Sequence, residues 1–126
     1  MKLFITSMVI LVLIIGGGLW YIRTIAAITG DMLLCLDQAE AAAANEDYTA
    51  ALQSISRMGE IWNAKKPLMS MFSDHSQLMD IDLSIAQIRQ YATSAQSGDI
   101  YAEAAVLREY LSQIASADRL SWENVL

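Results

Sequence analysis

The chain has 126 residues, 55% of them hydrophobic, and carries eight Lys and Arg against fourteen Asp and Glu for a net charge of −6. That length holds one domain with a modest core and excludes a second. The acidic balance argues against a domain that seats on phosphates, because such a surface needs clustered cations and the one basic pair is Lys65-Lys66.

From Leu3 to Ile22 the chain runs twenty residues without a charge, which at ~1.5 Å per residue matches the ~30 Å hydrocarbon core of a bilayer. Thr6 and Ser7 can return their hydroxyls to the helix backbone. Trp20-Tyr21 followed by Arg23 places amphipathic rings and a snorkelling cation at the far interface. Residues 1–23 therefore read as a transmembrane anchor. A cleaved signal peptide is the rival reading, since Lys2 ahead of an apolar run also begins those. The length of the run, its bulky Trp-Tyr end and the poor small-x-small character of Ile25-Ala26-Ala27 weigh against it. Gly16-Gly17-Gly18 points three ways around a helix and reads as local flexibility rather than as a spaced dimerisation face. With the amino terminus and Lys2 on one side and Arg23 on the other, the charges place the N-terminus in the cytoplasm and the domain outside a cell membrane crossed once.

Beyond Arg23, six Lys and Arg face fourteen Asp and Glu, a net charge of −8 for residues 24–126. One Pro, few Gly and the absence of strand-like alternation make this part helical almost throughout. Breaks fall at Asn45-Glu46-Asp47, with Asp47 placed to cap the next helix, at Lys65-Lys66-Pro67, and at Ser97-Gly98-Asp99. Four segments follow, roughly 24–44, 48–65, 68–95 and 100–117, the first continuing the transmembrane helix. Each carries an apolar stripe at three-and-four spacing. The first has Ile25, Ile28, Met32, Cys35 or Leu36, and Ala39. In the second it is Tyr48, Ala51, Leu52, Ile55, Met58 and Trp62. The third has Met71, His75, Leu78, Ile81, Ile85, Ile88 and Ala92, and the fourth Tyr101, Ala104, Leu107, Leu111 and Ile114. The short turns force neighbours antiparallel, so the expected fold is all-α, a transmembrane helix leading into a bundle of about four helices over 24–126. A faint echo between the segments opening at Tyr48 and Tyr101 reads as two similar helical hairpins, since two copies at this period make no solenoid.

Residues with chemistry are few. Cys35 is the one cysteine, so no internal disulfide or paired-thiol metal motif can form. It reads as a small buried apolar residue, with an intermolecular disulfide or a lipidated thiol as the alternatives. His75, with Asp74 beside it, stands between Met71 and Met79. That M-x-x-x-H-x-x-x-M spacing stacks two thioethers and an imidazole on one helix face, a set suited to a soft metal such as Cu(I). The structural reading weighs more: methionine is ordinary core filler, and an inward histidine hydrogen-bonds a neighbouring helix. No metal or other cofactor is assigned, and no catalytic residue is recognised. Asp74, Asp80 and Asp82 read as a solvated acidic face, because residues two apart on a helix do not converge. Trp62 reads as a core anchor, with membership of a ligand pocket as its alternative.

Trp62 ahead of a break, Phe72-x-Asp74-His75 opening a long helix, and the closing Leu120-Ser121-Trp122-Glu123-Asn124-Val125-Leu126 together resemble the bacterial family known as domain of unknown function 4363. The resemblance covers nearly the whole chain. It implies a small membrane-anchored helical protein of the kind found in Gram-positive, often spore-forming, bacteria, and implies no activity. In the closing motif Ser121 can cap a last turn whose Trp122, Val125 and Leu126 pack back on the bundle. The alternative is a hydrophobic tail that docks on a partner, which makes Trp122, Asn124 and Leu126 the interaction candidates.

The sequence thus supports a non-enzymatic, membrane-anchored interaction or scaffold protein of the cell envelope, held in the bilayer through residues 3–22 and docking on a protein partner or a second copy, not on nucleic acid. The alternative is a sensor bundle that admits a small ligand or metal between helices near His75 and Trp62.

Overall fold

With no Pro before position 67, nothing breaks the first helix, which grows far beyond the ordinary length. The computed structural model describes residues 1–71 and 73–125, with the side chains of 117–125 excepted. Helix α1 spans Lys2–Ala44, α2 Tyr48–Ser70, α3 His75–Thr93 and α4 Ser97–Val125. Each helix packs on its neighbours in chain order and α4 closes on α1, an antiparallel four-helix ring joined by short turns. The all-α bundle is as expected.

Helix α1 is about 65 Å long at 1.5 Å per residue, and it has two unlike halves. Its apolar residues from Leu3 to Trp20 are exposed almost without exception, whereas from Tyr21 onward Ile25, Ile28, Met32, Cys35, Leu36, Ala39 and Ala43 form one side of the bundle core. The helix passes through Gly16-Gly17-Gly18 without interruption; Gly16 and Gly17 face open space and Gly18 is buried. Thr6 and Thr24 satisfy their hydroxyls on the backbone four residues back, at 2.8 Å each. The buried Thr29 does the same on Ile25 at 2.9 Å, which lets a polar side chain sit in the core at little cost.

Helices α1 and α3 end in the same device. After each the chain steps through a left-handed residue, Glu46 at φ 58° and Ala95 at φ 56°. The following amides return to the helix: Asp47 N–H to Ala42 at 2.8 Å and Glu46 N–H to Ala43 at 3.0 Å, then Gln96 N–H to Tyr91 at 2.9 Å and Ala95 N–H to Ala92 at 3.3 Å. These are paired Schellman closures, made here without glycine. Asp47 and Asp74 cap α2 and α3, accepting from the amides of Ala50 and Ser76 at 3.2 and 3.1 Å. Tyr48 and Ser97 hydrogen-bond through their hydroxyls, and Ser97 also donates to the Ala43 carbonyl at 3.5 Å. The α1–α2 and α3–α4 turns therefore meet at one end of the bundle.

The middle of the chain departs from expectation. Pro67 does not end α2, which continues to Ser70. A proline removes one backbone bond and crowds the preceding turn, a cost of ~3 kcal/mol in a helix interior. Here it falls in the last turn, where Met69 is fully buried and Leu68 packs on the core. Asp74 then restarts the helix, so Met71 lies in the α2–α3 turn and His75 is the first residue of α3. Both are exposed, and neither belongs to the apolar stripe assigned to them. Two further corrections concern the helix ends: α3 stops at Thr93 and α4 starts at Ser97. Ile100 rather than Tyr101 opens the α4 stripe, Tyr101 being exposed.

Candidate functional site

Two places on the bundle join polar and apolar side chains in a defined geometry. The first is the end from which the bare apolar segment leaves. There Tyr21, buried at the start of the α1 core, has its hydroxyl 3.3 Å from the hydroxyl of Ser73. That contact sets the α2–α3 turn level with the last turn of the apolar run. Met71 in this turn is 74% exposed, the most exposed large apolar side chain beyond residue 20 among the described residues. Among the described side chains, Trp20, Arg23 and Lys65 are exposed at the same end, whereas Glu46, Asp47 and Asp99 stand at the opposite one.

The second is a seam between α2 and α3. Trp62 is buried in the core, and its indole N–H donates to Asp82 Oδ1 at 2.6 Å. Lys66 Nζ approaches the other carboxylate oxygen at 3.0 Å. Asp82 is thus a buried donor's partner rather than a member of a solvated acidic face. Above the pair is a notch of 120 Å³ lined by Gly59, Trp62, Asn63, Asp82, Ile85, Ala86 and Arg89. The Arg89 guanidinium reaches over Gly59, where an added methyl would lie 2.9 Å from it. Small-molecule pockets run from ~300 to ~1,000 Å³, so the notch is the size of a few waters.

On the opposite seam Arg108 of α4 pairs with Asp37 and Glu40 of α1. Burial works against its charge, but the two carboxylates together outweigh that and hold the guanidinium pKa above its ordinary value. Ser84, buried in α3, donates to Glu103 at 2.8 Å. Cys35 is buried as read, and that burial is the main cause of a thiol pKa above the ordinary value; Asp31 adds to the rise and Arg57 opposes it.

The residues named for chemistry do not converge. Met71 is outside the helix that carries His75, so the stacked Met-His-Met face is not formed, and Met79 points outward at 57% exposure. His75 is seven residues from Asp82 along α3, or about 10 Å of rise, so it shares no cavity with Trp62. Asp74 caps α3 instead of orienting the imidazole. Among the described residues no three His, Cys, Asp or Glu side chains gather as a metal site would require. The interaction candidates Trp122, Asn124 and Leu126 lie outside the described side chains.

Two features escaped the sequence. Asp82 as the partner of Trp62 had a signal only once the α2–α3 turn is placed between Ser70 and His75, from which the two positions are nearly equidistant. The contact between Tyr21 and Ser73 had none, because it depends on where α2 ends.

Comparison with curated proteins and with solved structures gives no match. Residues 19–125, the bundle together with the last turn of the apolar run, match the family described as Domain of unknown function (DUF4363). The chain belongs to the DUF4363 family.

Proposed function

We propose that the chain is a non-enzymatic, membrane-tethered interaction protein of the cell envelope. Residues 3–22 span the bilayer, the N-terminus stays in the cytoplasm, and the acidic bundle stands outside and docks on another protein or on a second copy. The observation that carries the reading is the continuity of α1, one helix whose first half is apolar and bare and whose second half is core. Only 6% of its most apolar window is buried, so this half is not the inner helix of the bundle. Cleavage near Ile25-Ala26-Ala27 would strip Tyr21 and Ile25 from the core, which ties retention of the anchor to the fold.

The orientation rests on Lys2 and the amino terminus against Arg23. What supports docking is an outward apolar pair on α3, Met79 and Leu83, one turn apart at 57% and 58% exposure. A net charge of −8 on the bundle favours a protein contact over a nucleic acid. The test is crosslinking in intact cells followed by detergent extraction and mass spectrometry of the captured species. Crosslinks that disappear in the Met79→Asp, Leu83→Asp double variant, with its melting transition kept, are the expected result. Failure to crosslink any protein, or saturable turnover of a substrate by the purified chain, would overturn the reading.

A further inference from the structure

We propose that the α2–α3 turn is a second membrane contact, with Met71 seated in the interfacial layer of the same bilayer that α1 crosses. The inference rests on the membrane reading of α1, and adds that the bundle does not swing freely on its tether. Tyr21 is one residue from the end of the apolar run and has its hydroxyl 3.3 Å from that of Ser73. With a rise of ~1.5 Å per residue, this places Ser73, and Met71 two residues before it, within a few ångströms of the plane where the span ends.

The turn has the composition this position calls for. Met69 is fully buried and holds the end of α2 on the core, while Met71 turns outward at 74% exposure. An outward methionine at the level of headgroups and upper acyl chains removes apolar surface from water, as interfacial elements do. Trp20, exposed on the neighbouring turn of α1, belongs at the same depth. Among the described side chains the charges agree with this seating: Arg23 is exposed at this end, and Glu46, Asp47 and Asp99 are at the other. Asp74, the acid beside the turn among the described side chains, spends its carboxylate on the Ser76 amide.

The experiment uses the full chain with Cys35→Ala, reconstituted in phosphatidylcholine–phosphatidylglycerol vesicles. Single cysteines replace Met71, Leu11 or Glu46, and each carries an environment-sensitive fluorophore. The proposal expects the label at Met71 to be quenched severalfold more by lipids with a nitroxide high on the acyl chain than the label at Glu46, and to be shielded from aqueous iodide. A label at Leu11 quenched by lipid beside a label at Met71 quenched by iodide would leave the anchor standing and overturn the second contact. Iodide access at Leu11 would overturn both. In a companion pair carrying the label on Ser70→Cys, Met71→Leu should keep the lipid quenching and Met71→Asp should lose it; equal quenching in the two would count against Met71 as the seat.

Discussion

Trp62 and Asp82 join α2 to α3 through one hydrogen bond of 2.6 Å between an indole N–H in the core and a carboxylate at its margin. The lysine on the same carboxylate is a lesser matter. Lys66 and Asp82 are 39% and 38% exposed, and such pairs contribute about 0–1 kcal/mol. Removing the acceptor instead strands a buried donor, at about 1–3 kcal/mol. Asp82→Ala is therefore expected to lower stability by ~2 kcal/mol, Lys66→Ala by under ~1 kcal/mol, and Asp82→Asn, which keeps an acceptor, by an intermediate amount. Urea melts of the three variants check the order.

The two left-handed residues after α1 and α3 give a prediction of opposite sign. Glu46 and Ala95 hold φ of 58° and 56°, where a side chain costs roughly 1 kcal/mol that glycine avoids. Ala95→Gly and Glu46→Gly should each raise stability by about 0.5–1 kcal/mol, or a few degrees in melting temperature. The two closures meet through Tyr48, Ser97 and Ala43, so any departure from additivity in the double variant, read from thermal melts, reports the coupling between them.

Gly59 offers a third stabilising change. It lies mid-helix in α2, where alanine is favoured by about 1 kcal/mol. Its nearest obstacle is the far end of Arg89, a flexible side chain at 2.9 Å, and the next is Ile85 at an ordinary 3.8 Å. Gly59→Ala should raise the melting temperature and displace the guanidinium from the notch. A loss of stability would mean that Arg89 is held there more firmly than its exposure implies.

The Cys35 thiol should be unreactive in the fold. Burial favours its neutral form and raises its pKa above the ordinary value, so alkylation at neutral pH should wait for unfolding. The linkage has a definite sign. With the folded pKa above the unfolded one, the stability tied to the neutral thiol is fully present below the unfolded pKa and is lost as pH rises toward the folded one. The stability gap between the chain and Cys35→Ala should therefore narrow above the ordinary thiol range, as read from urea melts at neutral and alkaline pH.

The elements that were legible in the sequence are those whose packing follows helical period alone. Ile25, Ile28, Met32, Leu36 and Ala39 in α1, and Leu78, Ile81, Ile85, Ile88 and Ala92 in α3, lie in the core where three-and-four spacing puts them. The fold class and the turn at Asn45 follow from the same pattern with its breakers, whereas the break expected at Ser97-Gly98-Asp99 falls just before it, between Thr93 and Ser97. The α2–α3 turn differs from expectation because Lys65-Lys66-Pro67 has every mark of a helix end, while the burial of Met69 and the cap at Asp74 move the real break six residues on. That shift takes Met71 out of the helix and makes His75 the first residue of α3, exposed although it keeps the three-residue step to Leu78. Asp82 was read as solvated for a related reason: its role depends on the register between two helices, which neither helix carries by itself.

The central claim is that the apolar half of α1 stays on the bundle and holds it in a membrane. The most direct measurement is alkaline carbonate extraction of membranes from cells making the chain, followed by intact-mass analysis of the retained protein. The account predicts a species that resists extraction and keeps the full mass of 13.9 kDa. A species released by carbonate, or one shortened by cleavage near Ala27, would contradict it.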